Sequence, residues 1–328
     1  MRKSLRNLVC QAVANSFILT GVVKYATRKA LNSKCILSLY FHKPSKAEFE
    51  WCIQWLKDKG FRFISLDEVE RIKNGEIPFP KGSVLITVDD GWRSNVPNVV
   101  EVAIRHKVPV TIFVSTSPVE EGAYWWSYVQ QAKQKGLIPY SKHELKKVPE
   151  QTRLGILQDI KKKVNPGRDA MTVDEVKTIS AYPYITIGAH THTHPILINC
   201  NQKQIYEELK ISRQKLESWI GKEVDYFAYP NGDYSKREAQ ILKNLNYRLA
   251  FSSDPKYLTP ESLKNSFTLP RFGFLEGAST AENICRMTGV WQPLMTKLPR
   301  LSYFKLKNKT NKKELIQESM PKGGPSPA

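Results

Sequence analysis

The chain has 328 residues, of which 41% are hydrophobic and 25% charged, so it can bury a sizeable core and does not have the composition of a disordered polymer. Its five cysteines are scattered and include no CxxC pair, which excludes a disulfide scaffold and favours reduced thiols. The net charge of +19 lies mostly at the two ends, since residues 1–47 hold nine Lys/Arg and residues 297–313 hold seven. The nearly neutral centre disfavours a metal-dependent nuclease with a basic cleft, so we expect no nucleic-acid partner.

The N-terminal segment contains an apolar run over residues 8–23 that is interrupted by polar side chains. It is shorter than a spanning helix and has no clear signal-peptide cleavage site. We expect residues 1–34 to be a basic, weakly amphipathic segment that lies on the domain or on an anionic membrane. Solvated basic ends without a partner are the alternative. A cytoplasmic or peripheral membrane location is expected, and export is left open.

From residue 35 onward the pattern alternates between strands and helices. Apolar runs predict strands at 35–41, 61–66, 83–88 and 109–115. Helical periodicity predicts helices at 46–60, 66–75 and 96–107. We expect Asp67 to cap the second of these helices.

Residues 120–170 break this rhythm and read as a helical insertion, with helices at 124–136 and 151–164. The alternation then resumes, and its predicted elements are helices at 172–180, 201–221 and 235–246 and strands at 184–189, 224–230, 248–253 and 267–274. Strands that alternate with helices predict a parallel sheet, and about seven of them favour a distorted (β/α) barrel over a doubly wound sheet. The domain is expected to span 35–290, followed by a basic tail, 291–328, whose end is disordered.

The residues that suggest chemistry fall at the carboxyl ends of predicted strands, where sites of parallel sheets lie. His190 and His194 follow the strand at 184–189 at the spacing of a two-histidine metal site. Asp90 ends the strand at 83–88 and is the natural third ligand. A divalent cation there would let its neighbour Asp89 stay ionised and act as a base on water. Taken alone, the aspartate pair is often an ordinary polar turn after a strand, and the histidine spacing is often only part of a polar surface.

Several motifs in the same order resemble the polysaccharide deacetylases of the NodB-homology type, carbohydrate esterase family 4. "LITVDDGW" is similar to the family's TFDDG motif and "HTHTHP" to its H(S/T)xxH motif. The similarity extends over residues 35–275 and includes "SLYFHKP", "PVTIFVS", "FAYPNGDYS" and "LPRF". It implies a distorted (β/α) barrel that hydrolyses the N-acetyl group of a sugar.

The resemblance also implies roles for individual residues. Asp89 would be the general base, and Asp90, His190 and His194 would hold a divalent metal, most often zinc. A backbone N–H at about Asn231 would stabilise the oxyanion.

Two departures from the family pattern alter the expected machinery. Ala228 stands where the better-known members have an arginine that orients the base, and "TLPRF" offers Arg271 where they have a histidine acid. An arginine is a poor proton donor, so we expect Arg271 to pair with Asp89 instead. His42 is then a candidate acid or substrate contact, against a purely structural role. His192 is a second candidate, with a hydrogen bond inside its own loop as the alternative.

Aromatic residues near these motifs suggest contacts with a sugar. Trp92, directly after the two aspartates, is the main candidate, and Tyr229 and Asn231 are further expected substrate contacts. Trp125 and Trp126 would either stack on sugar rings or belong to the core.

The sequence therefore predicts a metal-dependent deacetylase that acts on an N-acetylated oligo- or polysaccharide or on a lipid-linked saccharide. The alternative is a catalytically inactive carbohydrate-binding relative, suggested by the two departures.

Overall fold

The structure is a computed structural model that describes residues 5–293. Apart from its first three residues, the predicted tail at 291–328 lies outside the described part, and so does its predicted disordered end. The eight strands that the described residues form, numbered β1 to β8 in chain order, are Ile36–Phe41, Arg62–Ile64, Ser83–Val88, Val110–Val114, Ile185–Ala189, Tyr226–Ala228, Leu249–Phe251 and Phe272–Gly273.

Each predicted strand is present. The first seven lie within two residues of their expected bounds, whereas the strand expected at 267–274 is reduced to Phe272–Gly273. The α-helices, numbered α1 to α14 in chain order, are Leu5–Leu19, Val22–Asn32, Lys46–Asp58, Leu66–Lys73, Glu101–His106, Thr116–Glu121, Trp125–Gln134, Lys142–Leu145, Glu150–Lys161, Val173–Ser180, Gln202–Ile220, Lys236–Asn244, Pro260–Leu263 and Thr280–Met287. One turn of π-helix, Val96–Val100, leads into α5.

The strands form one parallel sheet that curls into a distorted barrel, as the sequence predicts. Its order is β7-β6-β5-β4-β3-β1-β8, with β2 beside the first half of β3. A parallel bridge between Phe251 and Leu269 joins β7 to the segment that leads into β8, which draws the two edges of the sheet together. Since all strands run in one direction, their carboxyl ends meet at one end of the barrel.

Alternation along the strands decides which side chains face the barrel interior. In β3, Val84, Ile86 and Val88 pack in the core between sheet and helices, whereas Leu85 packs in the interior cluster. Because side chains alternate with a period of two, Thr87 and Asp89 share the inward face of Leu85. In the same way β5 turns Ile187 and Ala189 outward and delivers the next residue, His190, to the interior.

The helix starts are fixed by local hydrogen bonds that are readable in the sequence. Capping boxes of the form S/T/N-x-x-E/Q begin six of the helices, with N-caps at Ser45, Ser65, Ser141, Thr172, Asn201 and Ser235. The expected cap at Asp67 is wrong. Ser65 is the N-cap of α4 because its hydroxyl accepts the backbone N–H of Glu68, and Asp67 lies inside the first turn.

The N-terminal segment forms two helices that pack on the domain, and residues up to Gln292 form one compact unit. Cys10 and Ala14 are the buried residues of α1, and a buried Glu282 on α14 accepts from both Arg6 and Arg286. Among the described helices, none alone has the length and apolar character needed to cross a bilayer. The pair α1 and α2, bent by 66°, meets that criterion only when the two are counted together.

The insertion predicted at 120–170 is helical and has a small core of its own. Trp125, Val129, Leu145, Leu157 and Ile160 are buried in this core, apart from the two clusters of the barrel. The insertion therefore packs as a unit over one side of the barrel mouth.

Gly188, on the inward face of β5, tests the packing of the barrel interior. An added Cβ would lie 2.5 Å from the Phe113 ring and 3.0 Å from the Tyr226 carbonyl oxygen. We expect Gly188→Ala to lower the free energy of unfolding by about 1–3 kcal/mol, measured by urea denaturation. Gly155→Ala is the matched control, because Gly155 is exposed in α9 with nothing within 4 Å of an added Cβ. It should raise stability by about 0.5–1 kcal/mol. Equal stability of the two variants would contradict this account of the interior.

Candidate active site

A cavity of about 510 Å³ opens at the carboxyl ends of the strands, a size within the range of about 300–1,000 Å³ of ligand pockets. Residues from several strand ends line it, so the fold gathers side chains that are far apart in sequence. Of the predicted site residues, those that line the cavity are His42, Asp89, Asp90, Trp92, His190, His194, Tyr229, Asn231 and Arg271.

Asp90, His190 and His194 form a buried cluster on the cavity wall. Each offers one potential ligand atom, and these atoms lie within 4.8 Å of one another. Oδ1 of Asp90 is 3.4 Å from Nε2 of His190 and 3.3 Å from Nε2 of His194. The structure thus brings together the three residues that the sequence predicts as metal ligands.

The protonation of this cluster shows that its donor set suits a cation. Nδ1 of His190 lies 2.7 Å from the Ala228 carbonyl oxygen, which only accepts, so this nitrogen carries the proton. In a neutral His190, Nε2 then carries no proton and faces the Asp90 carboxylate, so two hydrogen-bond acceptors lie next to each other without a donor between them. A proton or a metal ion between them resolves this arrangement.

Burial decides which charge state these groups favour. Burial lowers the pKa of His194 to about 4, although its hydrogen bond to Asp90 opposes that shift. Burial raises the pKa of Asp90, but the hydrogen bonds that His190 and His194 donate when their Nε2 atoms are protonated outweigh it and hold that pKa well below its usual range. Neutral imidazoles beside an ionised carboxylate are the forms that bind metal ions.

Asp89 lies beside this cluster and pairs with Arg271. Nη1 of Arg271 donates to Oδ1 of Asp89 at 2.7 Å, and Nη2 donates to Oδ2 at 2.9 Å. The guanidinium also donates to the Thr87 hydroxyl and the Ser252 carbonyl oxygen, and it is only 1% exposed. Arg271 thus has the position expected of a tether for Asp89, although it precedes β8 and does not follow a strand end.

Left-handed backbone conformations shape the two loops that carry the metal-type ligands. Asp90, Thr191 and His194 have φ values of 77°, 64° and 54°, which non-glycine residues rarely adopt. Glu208 of α11 holds the histidine loop, because its carboxylate accepts two backbone N–H groups and the Thr193 hydroxyl. Trp125 adds a hydrogen bond of 3.1 Å to the His194 carbonyl oxygen.

Trp92 contacts the predicted metal ligands directly. Its indole N–H donates to Oδ2 of Asp90 at 2.8 Å, which leaves Oδ1 directed at the two histidines. The ring packs on Tyr124 and Trp126 and carries Lys43 at 4.7 Å on one face. The predicted sugar contact stays a prediction, and the structure adds a hydrogen bond to Asp90 that the sequence does not reveal.

His42 reaches the cavity from the end of β1. Its backbone N–H donates to Glu276 at 2.8 Å, and its ring meets Tyr40 edge to face. The role of proton donor stays a prediction. His192 points elsewhere. Its Nδ1 lies 2.8 Å from the Thr116 hydroxyl of α6, so its hydrogen bond reaches another element and not, as expected, a residue of its own loop.

Tyr229 and Asn231 occupy the loop after β6 in different ways. Tyr229 follows the outward-facing Phe227 by two residues, so its side chain enters the core and its hydroxyl donates to the Phe267 carbonyl oxygen. The Tyr229 hydroxyl is therefore engaged in the core, and the predicted substrate contact of this residue, which lines the cavity, stays a prediction. Asn231 is exposed at the cavity with a φ of 57°, and its side-chain oxygen accepts a hydrogen bond from Lys146 of the insertion.

Trp126, which the sequence left open between sugar stacking and a core role, lines the cavity, and sequence reasoning missed two lysines beside it. Trp126 stacks on Tyr124 at 4.6 Å and meets His194 edge to face at 4.7 Å, whereas Trp125 belongs to the insertion core. Lys142 and Lys146 also reach the cavity from the insertion. No motif marks them, but the polar Thr87 at an inward position of β3 is a readable sign of a polar interior.

Comparisons with known proteins agree with this geometry. A poly-β-1,6-N-acetyl-D-glucosamine N-deacetylase of Staphylococcus aureus (strain NCTC 8325 / PS 47) is 25% identical over 240 residues, which are 70% of this chain and 67% of that protein. The solved structure of IcaB from Ammonifex degensii has a TM-score of 0.58 at 19% identity and covers 79% of this chain and 98% of its own. The Streptococcus pyogenes deacetylase PplD, solved in complex with acetate, has a TM-score of 0.57 at 19% identity. The match covers 77% of this chain and 98% of the PplD chain.

The two solved structures share the fold of this chain. The family model described as polysaccharide deacetylase matches residues 76–250, which include both aspartates and the histidine loop. The chain therefore belongs to the polysaccharide deacetylase family.

Proposed function

We propose that this protein hydrolyses the N-acetyl groups of a polysaccharide that contains N-acetylglucosamine. The observation that carries the proposal is the placement of an Arg271-bound Asp89 next to the Asp90, His190 and His194 cluster in one cavity. Family membership supports the reaction, and the substrate named for the Staphylococcus aureus relative supports the sugar.

We propose further that Asp90, His190 and His194 hold a divalent metal ion, with zinc as the best fit. Two neutral imidazoles and one carboxylate form a common catalytic zinc donor set that leaves a coordination position for water. When bound, such an ion supplies Lewis-acid activation of water and of the acetamide carbonyl. In this arrangement Trp92 fixes Asp90, and the Ala228 carbonyl oxygen fixes the His190 ring.

Asp89 is the general base in this proposal. Each of its oxygens accepts one hydrogen bond from Arg271 and retains a lone pair that can receive a proton from water. Arg271 acts as a positioning residue, since it fixes the carboxylate plane and offers no readily released proton. The amine that leaves needs a proton, for which His42 is the candidate on the cavity wall.

An inactive carbohydrate-binding relative is the alternative, and the arrangement of Asp89 weighs against it. A module that only binds sugar has no use for a carboxylate held by a buried arginine beside a metal-type cluster. The two readings differ in one measurable product, acetate.

We expect the purified protein to release acetate from β-1,6-linked N-acetylglucosamine oligomers, with loss on chelation and recovery on addition of zinc. Asp89→Asn should lower kcat by about 10²–10⁴-fold, because the amide cannot accept the proton. The measurement is enzymatic quantification of acetate, together with zinc content and oligomer binding. Oligomer binding without acetate from the zinc-loaded wild type would support the inactive reading. If acetate is released only from a different N-acetylated glycan, the proposed substrate is wrong and the proposed deacetylation reaction still holds.

Arg271→Ala should lower kcat by about 100-fold with little change in KM, because Asp89 loses the partner that orients it. Arg271→Lys is the matched variant, which keeps the charge but cannot form the two parallel hydrogen bonds. Its kcat should therefore lie between that of Arg271→Ala and that of the wild type. Zinc content and thermal unfolding identify variants that fail to fold. Wild-type turnover of a folded Arg271→Ala would remove the positioning role.

Trp92→Phe tests how Asp90 is oriented. The ring keeps its packing but loses the indole N–H to Oδ2, so zinc affinity should fall about 10-fold or more. Competition with a zinc-binding dye measures this without any turnover. Trp126→Phe is the control, because it leaves the bond between Trp92 and Asp90 intact. Equal affinity in the wild type and both variants would argue against the orienting bond.

A further inference from the structure

Helix α1 has an outward face unlike that of an ordinary surface helix. Cys10 and Ala14 are its buried residues and set its inner face. The outward positions that follow helical spacing are all exposed, and they are Leu5, Leu8, Val9, Ala12, Ser16 and Leu19. A helix that packs against its own domain normally turns polar and charged residues toward solvent. This helix turns mainly apolar residues outward instead.

The exposure is large and extends into α2. Leu5 is 71% exposed, Leu19 is 86% exposed and Tyr25 is 70% exposed. We call Leu5, Leu8, Val9, Leu19, Val22 and Tyr25 the N-terminal apolar surface. By contrast, α11 exposes Lys203, Glu207, Lys210 and Gln214 among its outward residues, as a solvated helix should. The apolar surface is therefore a local feature and does not reflect the general character of this protein's exterior.

The charge around this surface has one sign. Residues 5–32 contain Arg6, Lys24, Arg28 and Lys29 and no acidic residue. Arg6 pairs with the buried Glu282 and so anchors α1 to α14, whereas the three basic residues of α2 are exposed. Apolar side chains bordered by exposed Lys and Arg are typical of helices that lie in the interface of an anionic bilayer.

The packing of these helices supports docking on a bilayer surface over spanning it. Neither helix meets the length and hydropathy criterion for a span, and the pair is bent by 66°. A span would also place the ion pair between the partly exposed Arg6 and the buried Glu282 in hydrocarbon or break it, at a high desolvation cost. A helix that keeps its inner face on the domain and inserts only its outer face satisfies both constraints.

We propose that the N-terminal apolar surface docks onto the surface of an anionic lipid bilayer while the domain stays folded beneath it. The apolar side chains enter the interface, and Lys24, Arg28 and Lys29 contact the lipid phosphates. The proposal is independent of the proposed function, because it uses none of the residues that line the cavity.

The test is flotation of the full chain with vesicles. Vesicles of phosphatidylcholine and phosphatidylglycerol in equal parts should carry the protein upward, and pure phosphatidylcholine should carry much less. High salt should weaken the binding, since the contacts with lipid phosphates are screened. Failure to float with the anionic vesicles would overturn the proposal.

Paired variants locate the binding surface. Leu8→Glu with Leu19→Glu should reduce binding by about 10-fold or more. Leu137→Glu with Leu154→Glu is the matched control, since it adds the same charge at exposed leucines of the insertion and should bind as the wild type does. Lys24→Gln with Arg28→Gln and Lys29→Gln should remove most of the preference for anionic lipid.

Two outcomes would contradict the proposal even if the wild type floats. If the double variant Leu8→Glu/Leu19→Glu floats with anionic vesicles as well as the wild type does, the membrane contact lies in another part of the chain. If the wild type is a dimer, and the double variant is a monomer that still floats as the wild type does, then a second copy of the chain covers the N-terminal apolar surface. Acetate release from soluble oligomers should stay at the wild-type level in all these variants. A negative flotation result would therefore leave the proposed deacetylase reaction untouched, and absence of acetate release would leave the membrane proposal untouched.

Discussion

The buried ion pair of Asp89 and Arg271 is the interaction on which the arrangement of the cavity depends. Removing two charges from water costs several kcal/mol per ion, and the attraction between them repays this only when the remaining donors are satisfied. Here the guanidinium donates to both oxygens of Asp89, to the Thr87 hydroxyl and to the Ser252 carbonyl oxygen. Hydrophobic residues of similar volume would fill the barrel as well. The pair is therefore better explained by the oriented carboxylate that it places at the mouth than by stability.

The backbone separates the two adjacent aspartates into different environments. Asp89 continues the extended geometry of β3 and points into the barrel, where Arg271 offsets its charge. Asp90 takes a left-handed conformation, followed by Gly91, where a Cβ would lie 3.1 Å from Val114. This turn directs Asp90 toward the histidine loop. The expectation that a cation at Asp90 keeps Asp89 ionised therefore needs revision, because Asp89 has a cationic partner of its own.

Short-range rules predict much of this molecule, and long-range packing determines the remainder. Most strand bounds and the grouping of Asp90 with His190 and His194 follow from local patterns and from the common direction of parallel strands, whereas the expected cap at Asp67 is wrong. The pairing of Arg271 with Asp89 follows from the family resemblance, because Ala228 replaces the arginine that orients the base and an arginine is a poor acid. The expected substrate contact of Tyr229 stays a prediction: the residue lines the cavity, but its side chain turns toward the outer core and its hydroxyl donates to the Phe267 carbonyl oxygen. The contact of Lys146 with Asn231 depends on how the insertion folds over the barrel, and no local pattern encodes that.

The position of the arginine explains how the chain departs from the family motifs without losing the tether. Ala228, where the better-known members carry an arginine, faces the interior cluster with Phe113 and Phe251. Both rings lie within 6 Å of the Arg271 guanidinium, at 5.6 and 5.7 Å. Two arginines could not share this interior without repulsion, so a small residue at 228 is consistent with a tether that enters from the segment before β8. That segment is held by the bridge between Phe251 and Leu269, which closes the barrel. Closure of the fold and orientation of the Asp89 carboxylate thus depend on the same few residues.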